Sequence, residues 1–262
     1  MKIAISGKGG VGKTTLTVCL SRFLAEQGQS VIVVDADPDA DTALALGLDE
    51  RPEPLSALKE LIEERTGASG TGGEYFSLNP QVEDIPDEYA VEADGVRLLR
   101  MGRLAQGGSG CFCPENAFLK SLLAHLFFTE DQYVLLDMEA GIEHLGRGTA
   151  QGVDGMLVVV EPGRMSLNTA LEVKRYASDI GLTNVGAIAN NFSSDEELEA
   201  IKREIGSLPL VGTFPHDDDI SRADLEGRPP YTGSESQKEH LREMVDGIES
   251  FLAGELEESA EN

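Results

Sequence analysis

The sequence predicts an α/β fold, with a mostly parallel central sheet covered by helices on both faces. Two observations carry that prediction. Short apolar, β-branched runs alternate with segments of helical period along most of the 262 residues, the pattern left by parallel strands joined through crossover helices. A glycine-rich stretch, Gly7 to Thr15, then separates the first apolar run from the first helical segment. Strand, glycine loop and helix in that order form the context a phosphate-binding loop requires.

The elements follow in chain order. Lys2–Ser6 and Val31–Asp35 read as the first two strands, joined by a helix that begins near Lys13. Leu16, Leu20 and Phe23 line the apolar face of that helix, and Cys19 sits among them as a core residue. Val96–Met101, Tyr133–Met138, Gly155–Val160, Val185–Ala189 and Leu210–Phe214 read as further strands. Near-continuous apolar runs of this kind belong to strands buried on both faces. Helices are expected over Asn116–Phe128, Leu167–Ile180, Glu196–Ile205 and Ser234–Leu252. Residues 50–95, rich in Pro, Gly and acidic residues, break the rhythm. A helix over Pro54–Glu64 opens them, and the remainder reads as a long excursion from the core. One domain is expected over 1–254, followed by an acidic tail, 255–262, too polar to order itself.

Gly7, Gly12, Lys13 and Thr14 fit the pattern G-x-x-x-x-G-K-[ST]. Glycines let the backbone curl so that successive N–H groups, from Gly9, Gly10, Val11, Gly12 and Thr15 among others, converge on phosphate oxygens. The helix N-terminus adds its positive dipole end. Lys13 is placed to reach the β and γ phosphates and the Thr14 hydroxyl to ligate Mg²⁺. A plain turn would need one or two glycines and no Lys-Thr at this offset.

Carboxylates follow at two strand ends. Asp35-Ala36-Asp37-Pro38-Asp39-Ala40-Asp41 leaves the second strand, where Asp37 can bind Mg²⁺ or orient a water, while Asp39 and Asp41 also suit turn and helix-cap roles. Val134-Leu135-Leu136-Asp137 is an apolar strand ending in a carboxylate, and Asp137 is expected to hold Mg²⁺ through water. Two later strand ends suit recognition of a base. Asn190 and Asn191 offer amides for an adenine edge, and Pro215-His216-Asp217 follows the last strand.

A net charge of -26, from 47 acidic against 21 basic residues, argues against binding nucleic acid, where clustered Lys and Arg must neutralise phosphates. It argues equally against an anionic membrane surface. Acidity suits solubility, a basic partner or cation handling, or simply reflects the habit of the source organism. Met1-Lys2 leads straight into a strand and no apolar run approaches the ~20 residues of a membrane span. A cytoplasmic protein is therefore expected, and its three cysteines point to metal or redox chemistry rather than a disulfide framework.

The second lysine narrows the class. Lys8-Gly9-Gly10-Val11-Gly12-Lys13-Thr14-Thr15 resembles the deviant Walker A motif of the MinD, ParA, nitrogenase iron-protein and arsenite-pump class of dimeric ATPases. The resemblance implies ATP hydrolysis in a homodimer, with Lys13 acting in cis and Lys8 crossing to the partner's nucleotide. Positive charge delivered on closure would stabilise the transition state as an arginine finger does. It further implies that Asp37 supports hydrolysis, that Gly141 senses the γ phosphate, and that the loop at Pro215 belongs to the nucleotide site.

Cys111-Phe112-Cys113-Pro114 lies in a glycine-rich loop ahead of a helix. Two thiolates make half of a tetrahedral Zn²⁺ site or of a square-planar Ni²⁺ site, and a twofold dimer would complete it. A redox pair and two unrelated buried thiols are the competing readings. This loop, together with the run Asp137-Met138-Glu139-Ala140-Gly141-Ile142-Glu143-His144, is similar to the CooC-type accessory ATPases that mature nickel-dependent carbon monoxide dehydrogenase. That resemblance implies nickel delivery to the dehydrogenase as client, with Cys111 and Cys113 holding the metal at the dimer interface.

Two other classes compete. A MinD- or ParA-like positioning ATPase is disfavoured by the charge and by an acidic rather than basic C-terminal amphipathic helix. A nitrogenase-type reductase needs two well-separated cysteines per subunit, whereas here one residue separates the pair.

Overall fold

A computed structural model describes residues 1–37, 41–68, 75–102, 113–140, 145 and 150–255. Among these, eight strands form one sheet: β1 (Lys2–Ser6), β2 (Val31–Asp35), β3 (Val91–Ala93), β4 (Val96–Arg100), β5 (Tyr133–Asp137), β6 (Gly155–Val160), β7 (Val185–Asn190) and β8 (Leu210–Phe214). Their spatial order is β3-β4-β2-β5-β1-β6-β7-β8. Neighbours run parallel except the β3–β4 pair. The described helices are α1 (Lys13–Glu26), α2 (Thr42–Ala45), α3 (Lys59–Thr66), α4 (Ile85–Tyr89), α5 (Pro114–Phe128), α6 (Arg164–Asp179), α7 (Asp195–Ile205), α8 (Asp218–Leu225) and α9 (Glu235–Leu252).

Strand periodicity divides the interior into two layers. Ile3, Ile5 and Val33 point to one face, where Leu16 and Leu20 of α1 and Leu241, Met244 and Ile248 of α9 cover them. Ala4, Ile32 and Val34 point to the other, beneath Phe118 and Leu122 of α5 and Ala170 and Val173 of α6. β1 lies between β5 and β6, with β2 beyond one and β7 beyond the other. Its carboxyl end is therefore the crevice where open parallel sheets bind ligands.

The expected fold class and the seven expected strands all appear, with ends shifted by a residue at most. The 50–95 segment is a correction. The expected helix over Pro54–Glu64 is a 3-10 turn, Leu55–Ala57, followed by α3. Far from leaving the core, the segment buries Leu55, Ile62, Val82 and Ile85 in the same layer as α5. Leu55, Leu58, Leu61 and Ile62 carry the helical spacing behind the expected helix, whereas Val82 and Ile85 stand singly among polar residues, so no period announces that they reach the core. The segment also holds β3, which pairs antiparallel with β4 across Asp94-Gly95. Both turn residues have positive φ, 46° and 79°, the two-residue hairpin geometry that Asp-Gly favours. The acidic tail from residue 256 lies outside the described residues.

Candidate functional site

The carboxyl end of β1 opens directly into the glycine loop. Gly7 has a φ of +144°, and a Cβ there would lie 2.5 Å from the Val159 carbonyl oxygen of β6. Only glycine lets the two backbones pass so closely. Gly12 is the N-cap of α1, with φ +88°, and the first turn of α1 carries no acidic residue. The Leu16 N–H closes the first helical bond on the Gly12 carbonyl at 2.9 Å. The N–H groups of Lys13, Thr14 and Thr15 thus have no acceptor within the helix and face an anion site. Lys8 occupies the loop half-buried, with Gly9 and Gly10 exposed beside it.

Distant strands bring carboxylates to the same place. The Thr14 hydroxyl donates to Asp137 Oδ2 at 2.7 Å, and the Thr42 hydroxyl reaches the same oxygen at 3.4 Å. Lys13 Nζ stands 3.6 Å from Asp37 Oδ2, both groups nearly buried. Asp35 lies directly beside Asp137 in the β2–β5 register. Burial pushes the Asp137 carboxyl up to about 6, against the pull of the Thr14 hydrogen bond and the Lys13 charge. Burial, then the nearby Asp137 charge, push Asp35 up to about 7, with Arg100 pulling the other way.

Lys13 faces Asp37 and Asp137, and Asp35 beside Asp137 is answered by Arg100, so buried carboxylates gather at this strand end. Asp137 Oδ1 is buried with no hydrogen-bond partner among the described residues. An orphaned carboxylate oxygen beside a threonine hydroxyl and further carboxylates is a donor set that fits a hard divalent cation such as Mg²⁺.

The base side is more open. Gly10, Thr15, Asn190, Pro215, His216 and Asp217 are among the residues lining a small pocket next to the loop. Asn190 Nδ2 donates to the Val11 carbonyl at 2.7 Å. His216 links Asn191 Oδ1, 2.8 Å from Nδ1, to Asp218 Oδ1, 3.1 Å from Nε2.

The structure therefore brings Lys13, Thr14, Asp37 and Asp137 together, with Asn190 and Pro215 at the adjoining pocket. Asp41 stands at the N-cap of α2 but makes no side-chain capping bond there; its carboxylate holds Arg51 at 2.6 Å. Cys19 is buried in the α1 core, and that burial pushes its thiol up. Cys113 is the half-buried N-cap of α5. Cys111, Pro38, Asp39, Gly141, Glu143 and His144 lie outside the described residues. Sequence reading missed Thr42, because nothing local signals that its hydroxyl meets a carboxylate 95 positions away.

This loop, its helix and the paired strand-end aspartates define a P-loop nucleotide hydrolase. The chain belongs to the CobQ/CobB/MinD/ParA nucleotide-binding family, whose domain matches residues 2–231, and it is an ATPase of that class. It is 45% identical to the carbon monoxide dehydrogenase accessory protein CooC of Rhodospirillum rubrum over 231 residues, 87% of this chain and 88% of that protein. It is also 45% identical to an uncharacterized ATP-binding protein of Methanocaldococcus jannaschii, over 91% and 94% of the two chains. In fold it resembles MinD of Pyrococcus horikoshii, solved with Mg-ADP, at a TM-score of 0.66 and 20% identity over 98% of this chain and 99% of that one.

Proposed function

We propose that this ATPase is a nickel-handling accessory protein for carbon monoxide dehydrogenase, acting as a cytoplasmic homodimer without nucleic acid or membrane. The observation that carries the reading is its likeness to CooC over most of both chains, joined to a Cys-x-Cys pair whose second member occupies the N-cap position of α5. Topology supports a link between metal and nucleotide. Strand β4 ends at Arg100, in register with Asp35, so the chain leaves it at the carboxyl end of the strands, where Asp37 and Asp137 also stand. The alternative of a membrane-recruited positioning ATPase has less support, since α9 spends Leu241, Met244 and Ile248 on the core.

In this reading the loop N–H groups and Lys13 bind the β and γ phosphates, and Pro215 and Asn190 border the base. Thr14, Asp137 and Asp37 would hold Mg²⁺, which supplies neutralisation of charge on the phosphate oxygens. Asp37, held near Lys13, orients the attacking water. Lys8 of each protomer completes the other's site on closure. ATP binding draws the two subunits together and assembles four thiolates from two Cys111–Cys113 pairs around one Ni²⁺, with Zn²⁺ as the competing occupant. Hydrolysis loosens the pair and releases the metal to the client.

Titrating nickel into the wild type and into a Cys111→Ser/Cys113→Ser variant, with and without ATP, while recording molecular mass, tests this directly. The expected result is one nickel per ATP-bound dimer, and none for the variant. Equal nickel binding by both proteins, or a monomer under every nucleotide condition, would overturn it.

A further inference from the structure

We infer that Asn190 is a positioning residue for the phosphate loop, its side-chain amide fixing the orientation of the Val11–Gly12 peptide. This inference rests on the nucleotide-site reading and not on the nickel proposal.

Asn190 is the last residue of β7, and its backbone is held in register with Phe214 of β8. The next residue, Asn191, donates its N–H to the Phe214 carbonyl at 2.9 Å. From this rigid strand end, with β6 lying between it and β1, the Asn190 side chain reaches back to the loop. Its Nδ2 donates to the Val11 carbonyl at 2.7 Å, and only 8% of the residue is exposed. In a trans peptide the C=O and N–H point in opposite directions. Pinning the Val11 oxygen to Asn190 directs the Gly12 N–H away from β7, leaving it to join the donors at the start of α1.

A second contact shows how closely the two groups are matched. A Cβ on Gly12 would stand 2.4 Å from Asn190 Nδ2, so the absence of a side chain at Gly12 is what admits this amide. The neighbouring Asn191 adopts φ +56° and turns its own amide to His216 in the loop after β8. Two consecutive amides thus anchor two different walls of the site from one strand end: Asn190 the phosphate wall, Asn191 the base wall. Without the Asn190 amide, the Val11 carbonyl loses its partner and the loop can rotate that peptide, so the cost falls on any ligand that uses the phosphate donors.

A ligand without a base separates this role from base reading. Wild type, Asn190→Ala and Asn190→Leu are titrated calorimetrically with inorganic tripolyphosphate and with ATP, each with Mg²⁺, and thermal midpoints of the unliganded proteins are recorded. Leu fills the space without a donor, which keeps the test open if the smaller residue impairs folding. Both variants should bind tripolyphosphate and ATP about tenfold more weakly, by the same factor for each ligand, and melt a few degrees lower while still unfolding cooperatively, because the buried Val11 carbonyl loses its partner. Wild-type affinity for tripolyphosphate beside weakened ATP would overturn the inference and make Asn190 a base reader. Unchanged affinity for both would overturn it as well. A wild type that binds neither ligand would instead sink the assignment of the nucleotide site itself.

Discussion

The two ends of the nucleotide crevice are built on different principles. At the phosphate end, charge is buried: Lys13, Asp35 and Asp137 are each under a tenth exposed, and Lys13 and Arg100 answer three carboxylates, Asp35, Asp37 and Asp137. At the base end the polar groups are open, with His216 strung between Asn191 and Asp218 at a solvent-exposed edge. Buried charge interacts strongly and destabilises the empty protein, whereas exposed polar contacts are screened and individually weak. The difference teaches that the phosphate end is an electrostatic device held ready for a ligand. The base end is an adjustable rim.

Removing the cation breaks this contrast most severely. Lys13→Ala should lower the rate of ATP hydrolysis about 10²–10³-fold, measured as phosphate release at saturating ATP, because it removes the cis charge on the transferring group. A loss of less than tenfold would mean that the buried lysine serves Asp37 rather than the nucleotide.

The cost of buried carboxylates gives a second, smaller effect. Asp35 and Asp137 have folded-state pKa values raised above the ordinary carboxylate value of 3.8, to about 7 and about 6. Between their unfolded and folded values the folded state holds protons that the unfolded state has released. The stability these groups contribute is therefore fully present below about pH 4 and is lost as pH rises to about 7. Asp35→Asn keeps an oxygen for the Asp37 backbone N–H that Asp35 accepts and removes the titration. It should raise the thermal midpoint of the nucleotide-free protein by about 3–6 °C at pH 8, a gain that fades toward pH 4. An equal gain at both pH values would show that charge is not its source.

His216→Ala sharpens the contrast from the other side. Because the ring lies at an exposed edge, ATP should bind about twofold more weakly and tripolyphosphate not at all differently. An effect as large as that of Lys13→Ala would end the description of this rim as adjustable.

Much of this was legible in the chain. Gly7 through Thr15 is read from neighbouring residues alone, because one continuous curl of backbone builds the anion cradle and its glycines are needed where they stand. Strand and helix alternation was legible for the same reason, as apolar periodicity is a local property of the chain. The Asp-Gly hairpin after β3 was equally local, a signal present at Asp94-Gly95 but preceded by only three strand residues, Val91–Ala93, of which one is β-branched. The packing of residues 50–95 was not legible, since Leu55, Ile62, Val82 and Ile85 acquire a common face only when the sheet supplies one.

By itself the sequence determined the fold class, the phosphate loop and the identity of the carboxylates at the strand ends. Only the tertiary structure decided that Asp137 keeps one oxygen unpartnered among the described residues, that Thr42 shares the other with Thr14, and that Asn190 holds the loop by Val11. The reason is physical: backbone conformation and periodicity depend on near neighbours, whereas charge burial and side-chain hydrogen bonding depend on which distant strands the sheet places side by side.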